Sequence, residues 1–206
     1  MFILNTISLQ NVESKSKQLQ ELLLQDPQNN IPWFANYLVV TRVSQEHNFH
    51  GLYLKMLMEM ELKQVNKTIL EETYNYIKNL LSKEKLEESD RKILNSLGTW
   101  LGSMTLSRNK PIFIKHLDLK GLLIQAYAHE NLLAIIPFIC NIIKAASNSE
   151  VFSKLNPWLI AVVSVLVEIR NTPNLKMRIS HEIEVLLKDL RITPEEELQF
   201  REKSSF

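Results

Sequence analysis

Five histidines, one cysteine and four aspartates are the side chains from which any chemistry in this sequence would have to be assembled. His47 and His50 stand nearest each other, in Glu46-His47-Asn48-Phe49-His50. Two imidazoles can begin a zinc site, but no cysteine or aspartate accompanies them, so both read as surface or turn residues. His116, His129 and His181 are scattered singly and read as structural or solvated. Asp26, Asp90, Asp118 and Asp189 each fall at an expected helix end or turn. The acidic cluster with which nucleases and phosphatases hold divalent ions is therefore missing. Glu195-Glu196-Glu197 is a run, yet at a helix start acidic charge favours the dipole. Cys140 lies in a strongly apolar stretch and reads as a buried, inert thiol. Serine and threonine form no nucleophile elbow. Gly51, Gly98, Gly102 and Gly121 all lie inside helical patterns. A phosphate cradle needs clustered glycines whose N–H groups converge on the anion. The sequence thus predicts no catalytic residue, no metal and no cofactor.

The elements that carry these residues are helical almost throughout, judged by the spacing of apolar positions. Ile93, Leu94, Leu97, Trp100, Leu101 and Met104 form one broad apolar face, as do Ile69, Leu70, Tyr74, Ile77, Leu80 and Leu81. Helices are predicted at about 11–25, 31–46, 49–62, 66–82, 90–107, 118–129, 131–147, 157–171 and 178–191, with a short one from about 194. Asn30-Ile31-Pro32 and Asn156-Pro157 offer an N-cap followed by a first-turn proline. Ser89 and Asp118 are further candidate caps, and Thr193 with Glu196 fits a capping box. The valine-rich Ala161 to Val167 would also suit a buried strand. Its flanking helices and Asn-Pro start favour a helix. About ten helices with short turns imply an all-α, HEAT-like solenoid of about five antiparallel pairs. No composition shift or long linker divides the chain, which reads as one domain over 1–206.

Two groups exceed background. Gly98 and Gly102 share a helix face roughly opposite Trp100. Each costs about 1 kcal/mol against alanine, so close approach of something must benefit from them. Tight packing on a neighbouring helix is the first reading and a partner groove the second. Arg42, Phe49, His50 and Tyr53 combine residue types favoured at interface hot spots, although Phe49 and Tyr53 at i, i+4 equally suit a core.

Net charge is +1, from 24 basic and 23 acidic side chains, which argues against a general electrostatic grip on nucleic acid or anionic membrane. Met1-Phe2-Ile3-Leu4-Asn5 lacks the features of a signal peptide. The longest apolar stretches fall short of the roughly 20 residues that cross a bilayer. With a single cysteine, a cytoplasmic or nuclear location is expected.

Pro32-Trp33, Tyr37-Leu38-Val39, Arg42-Val43-Ser44, Asn48-Phe49-His50 and Leu52-Tyr53 resemble the opening of a known domain. The likeness continues through Leu97-Gly98-Thr99-Trp100-Leu101-Gly102, Asn109-Lys110-Pro111-Ile112, Pro137-Phe138, Asn156-Pro157-Trp158 and Glu182 to Leu186. Together these fragments are similar to the central domain of the Not-one family, the scaffold subunits of the Ccr-four–Not deadenylase complex. The resemblance implies a fold shared with the middle domain of translation initiation factor four-gamma, and a fragment of a larger scaffold. It implies a Caf-one-type poly(A) nuclease as one partner, expected at Pro137, Phe138, Phe152, Asn156, Pro157 and Trp158. A DEAD-box helicase is the second, expected on the concave surface at Arg42, Phe49, His50, Gly98, Trp100 and Asn109. Further deadenylase subunits would bind elsewhere on the parent chain. Lys154-Leu155 stand where family members usually have two prolines, and the turn 26–30 looks longer than usual. A translation-initiation module binding an initiation helicase, and an RNA-binding helical repeat, are the alternatives.

The RNA alternative rests on small basic groups, Lys83, Lys85, Arg91 and Lys92, or Arg108, Lys110 and Lys115. With no aromatic-plus-basic stripe beside them, these read as solvated turns. Binding of single-stranded RNA is accordingly expected to stay in the non-specific range, Kd about 10⁻⁴ to 10⁻⁶ M at physiological salt, on the scale known for DNA. Fluorescence anisotropy with labelled oligonucleotides checks this; a sequence-selective nanomolar complex would contradict it.

Overall fold

The computed structural model describes residues 2–203, with side chains described for 2–200. All regular structure among them is helical. They pack as two compact units, one ending at Lys85 and one beginning at Leu86.

The first unit contains α1 (Phe2–Thr6), α2 (Val12–Gln25), α3 (Pro27–Asn36), α4 (His50–Met60) and α5 (Lys63–Leu81). A π-helical segment, Tyr37–Val43, continues α3, and a 3₁₀ turn, His47–Phe49, leads into α4. In α5 the buried positions Val65, Ile69, Thr73, Tyr74, Ile77 and Leu80 recur at helical spacing and form one stripe. Helices pack on the next but one, α2 on α4 and α3 on α5. That stacking is what a two-layer helical repeat requires, because no single helix pair encloses its own apolar face.

One start signal was displaced. Asn30-Ile31-Pro32 predicts a helix opening near 31, whereas α3 opens at Pro27 and runs through Pro32. Pro27 takes the first-turn position where a missing N–H costs nothing. Asn30 is then free to reach back, its Nδ2 donating to the Leu22 carbonyl at 2.9 Å rather than capping its own helix.

The second unit contains α6 (Glu88–Met104), α7 (Leu119–Ala128), α8 (Leu132–Lys144), α9 (Pro157–Arg170), α10 (Met177–Asp189) and α11 (Pro194–Lys203), with 3₁₀ turns at Leu106–Arg108 and Ala145–Asn148. Here α6, α8 and α10 pack in one series and α7, α9 and α11 in another. Asp118 accepts from the Gly121 N–H at 2.9 Å, and Thr193 and Glu196 exchange the two bonds of a capping box. Ser89 is not the cap of α6. Glu87 fills that place with Asp90 as its reciprocal partner, two residues before the serine's expected reach. The valine-rich segment is helical, in α9, which also packs on α10 and is buried on nearly every side. Burial all round explains why its composition resembles that of an interior strand.

The close approach expected of Gly98 and Gly102 is made to α8. A Cβ on Gly98 would stand 2.7 Å from the Phe138 carbonyl oxygen, and one on Gly102 2.6 Å from that of Ile142. Trp100, on the opposite side of α6, is fully buried as well. Gly102→Ala gains up to about 1 kcal/mol of helix propensity. It also forces α6 off a backbone that cannot yield, and overpacking costs about 1–3 kcal/mol. A net loss of up to about 2 kcal/mol in urea denaturation is expected, and a more stable variant would contradict the packing argument.

Candidate protein-binding sites

In the first unit, Arg42 sits on the π-helical segment with a side chain 19% exposed. Its Nε lies 3.1 Å from Glu46 Oε2 and donates to the Tyr53 hydroxyl at 3.2 Å, and Nη1 donates to Asn5 Oδ1 at 3.3 Å. The Tyr53 hydroxyl in turn donates to Glu46. Burial first, and then that bond, push the Tyr53 hydroxyl up to about 12. Arg42 thus joins three segments of the unit, and no longer offers its whole guanidinium to a partner.

His50, an expected helicase contact, is 5% exposed, with Nε2 2.8 Å from the Val43 carbonyl. Burial lowers its pKa, keeping the ring neutral. It presents no surface. Phe49 is 50% exposed and lies 6.3 Å, ring to ring, from the buried Tyr53. Of the three residues, Phe49 is the one a partner can cover.

In the second unit, Gly98 and Trp100 are likewise enclosed and serve the α6 packing, not a surface. Pro137 and Phe138, expected at the nuclease, are buried along α8, and Phe138 carries the carbonyl that Gly98 approaches. Cys140 on the same helix is buried, which pushes its thiol pKa far up and leaves it unreactive. Among the described residues no group of three or more His, Cys, Asp or Glu side chains could hold a metal ion.

The Asn156-Pro157-Trp158 cluster is accessible. Asn156 Oδ1 accepts from the Trp158 and Leu159 N–H groups, at 3.0 and 3.3 Å, and caps α9. Pro157 follows in the first turn and is exposed. The half-buried Trp158 ring meets Phe152 edge-on at 5.7 Å, and Phe152, at 6% exposure, is its buried support. Trp158 lines a groove of about 320 Å³ with Ile114, Leu117, Leu119, Ile124 and Val162. Ile114 is 70% exposed at its edge. Lys154, standing where a proline is usual, pairs with Glu196 at 2.6 Å, while Leu155 is exposed.

Sequence reasoning missed Ile114 and Ile124, because neither belongs to a legible motif; only the fold of the 109–119 loop carries Ile114 to the tryptophan. It missed a second groove in the first unit, about 290 Å³, lined by Ile3, Leu19, Leu22, Trp33 and Tyr37. There the Trp33 ring stacks on Tyr37 with centroids 5.7 Å apart. Of the basic groups, Lys92 pairs with Glu88 at 2.8 Å and Lys115 lies 5.6 Å over the Phe113 ring. No helix of the described residues is long and apolar enough to cross a membrane.

Helices stacked on the next but one, with apolar grooves at their edges, define the class of HEAT-like helical-repeat proteins. Residues 1–202 match the family described as the CAF1-binding domain of CCR4-NOT transcription complex subunit 1, and the chain belongs to that family. It is 37% identical over 198 residues to the Caenorhabditis elegans CCR4-NOT transcription complex subunit let-711, covering 93% of this chain and 8% of that protein. It is 34% identical over 193 residues to general negative regulator of transcription subunit 1 of Saccharomyces cerevisiae, covering 94% and 9%. The protein of the same name in Schizosaccharomyces pombe is 34% identical over 194 residues, covering 93% and 9%. The chain therefore spans less than a tenth of the length of these relatives.

Arg42→Ala separates a binding role from a structural one. A pure interface anchor would leave stability unchanged, whereas the bonds to Tyr53, Glu46 and Asn5 predict a loss. We expect about 1–2 kcal/mol, since partly buried acceptors lose a charged donor in a setting still partly screened by water. Chemical denaturation measures it, and an unchanged midpoint would contradict the structural role.

Proposed function

We propose that this chain is a non-catalytic scaffold module that docks a CAF1-type poly(A) nuclease in the groove beside Trp158, in the service of mRNA deadenylation and decay. The family match over residues 1–202 carries this reading, because the family is described by that binding. The groove supports it physically: it is apolar, open, rimmed by the exposed Ile114, and floored by a tryptophan that its own N-cap and Phe152 hold still. A rigid aromatic in an apolar recess is a favoured hot spot, since little side-chain entropy is lost on docking. The mechanism is tethering, which raises the nuclease's effective concentration near its substrate without adding a catalytic contact.

The match crosses both compact units, which supports treating residues 1–206 as one binding module. Next-but-one helix packing supports a fold akin to the middle domain of initiation factor four-gamma. Other deadenylase subunits would engage the rest of a longer parent chain. The reading puts the protein in the cytoplasm and nucleus, where a lone buried thiol suits reducing conditions.

A second partner, a DEAD-box helicase, is proposed at the exposed face of Phe49, whose 50% exposure on a turn tied down by Arg42 and Tyr53 favours it. Calorimetric titration tests both partners. Ile114→Glu should weaken nuclease binding at least about 10-fold, since a carboxylate would be carried into an apolar contact. Its melting temperature should be unchanged, because the native side chain is exposed. Phe49→Ala should cost helicase binding about 2 kcal/mol and leave the nuclease untouched. Full nuclease affinity in Ile114→Glu would rule out the groove.

A further inference from the structure

Asn109 has a positive φ of 58°, in the left-handed region that asparagine tolerates better than most residues. Its backbone is tied to the 3₁₀ turn that follows α6. The Asn109 N–H donates to the Leu106 carbonyl at 3.0 Å, and the Lys110 N–H to that of the fully buried Thr105 at 3.0 Å. From this fixed point the side chain reaches across forty residues of sequence. Oδ1 accepts from Ser149 Oγ at 2.7 Å, from the Glu150 N–H at 3.1 Å and from the Val151 N–H at 3.3 Å. Two of these donors are backbone amides, which can only donate, so the oxygen of the amide must face them.

The bonds continue from there to the groove. Ser149 Oγ accepts from the Phe152 N–H at 2.9 Å, and Asn156 Nδ2 donates to the Val151 carbonyl at 3.1 Å. Asn156 Oδ1 caps α9 at Trp158, and Phe152 supports the Trp158 ring. A connected path of hydrogen bonds thus leads from Asn109 to the residue that lines the groove. Exposed loop backbone without such partners would be satisfied by water and would sample many conformations.

We propose that Asn109 is a positioning residue for nuclease docking: its side-chain oxygen pre-orders the 149–158 loop so that Trp158 and the loop's exposed Val151 and Leu155 meet the partner in one arrangement. The assignment rests on the groove being the nuclease site. A ligand whose competent conformation is only partly populated binds more weakly in proportion to that fraction, and this is the lever Asn109 controls.

Asn109→Gly is the decisive variant, because glycine adopts the positive φ freely and only the acceptor is lost. Asn109→Asp keeps an acceptor oxygen in place and serves as the conservative rescue. In the unbound 206-residue chain, hydrogen exchange at the Glu150 and Val151 amides should quicken about 10-fold or more in Asn109→Gly, with the amides of α6 and α8 unchanged, and return toward normal in Asn109→Asp. Nuclease affinity, by calorimetry, should fall about 5- to 10-fold in the glycine variant and recover in the aspartate one. Unchanged loop exchange in Asn109→Gly would overturn the positioning role outright. Faster exchange with full nuclease affinity would show that the bonds are structural only. Exchange quickened throughout the unit would mark Asn109 as a general stabiliser and equally overturn the proposal. Failure of the groove reading looks different: Ile114→Glu would bind the nuclease normally while the loop exchange still responded to Asn109.

Discussion

The second unit depends on how closely α6 can lie against α8. At Gly98 and Gly102 the missing Cβ atoms let two backbones approach to distances at which any side chain would strike a carbonyl oxygen. That approach seats the helix whose other side buries Trp100, and α8 in turn packs against α10. Helix α8 is apolar nearly all round because it is covered by α6, α7 and α10 together. Each glycine gives up some intrinsic helix stability, and the dense contact along α8 offsets it.

Stacking of this kind leaves surface for a partner at the edges of the helical layers. Pro137 and Phe138 illustrate the separation: they stand in a recognisable segment, yet serve the core. The neighbouring cluster at Asn156 to Trp158 uses its polar atoms to fix a helix start and leaves an aromatic ring half exposed. In the first unit, Arg42, Glu46 and Tyr53 hold the turn that presents Phe49. In both units a short polar network immobilises one apolar side chain at the surface, an arrangement suited to binding because the ordering precedes contact.

Much of the architecture was legible because it follows from local rules. Period-3.6 apolar spacing marked α4 to α10, with ends displaced by a few residues. Asp118, Asn156 and Thr193 capped helices as their types suggest. The start of α3 was displaced because Pro27 takes the first-turn position, which leaves Asn30 inside the helix with its Nδ2 donating to the Leu22 carbonyl of the preceding helix. Cys140 is buried as its apolar surroundings on α8 suggest.

What the sequence determined by itself was therefore the all-helical class, the family, and the pairing of two glycines with a close neighbour, each a consequence of spacing along one chain. Tertiary structure alone decided which of the family's marked residues face solvent. His50, Trp100, Phe138 and Phe152 are large side chains of types common at interfaces, and all four are buried. Exposure depends on what lies opposite, and for these residues that is set by contacts between segments distant along the chain. The same holds for Asn109, which the resemblance marks as an expected helicase contact. Only the folded chain brings its oxygen to the amides of Glu150 and Val151, because a hydrogen bond requires donor and acceptor to meet within about 3 Å.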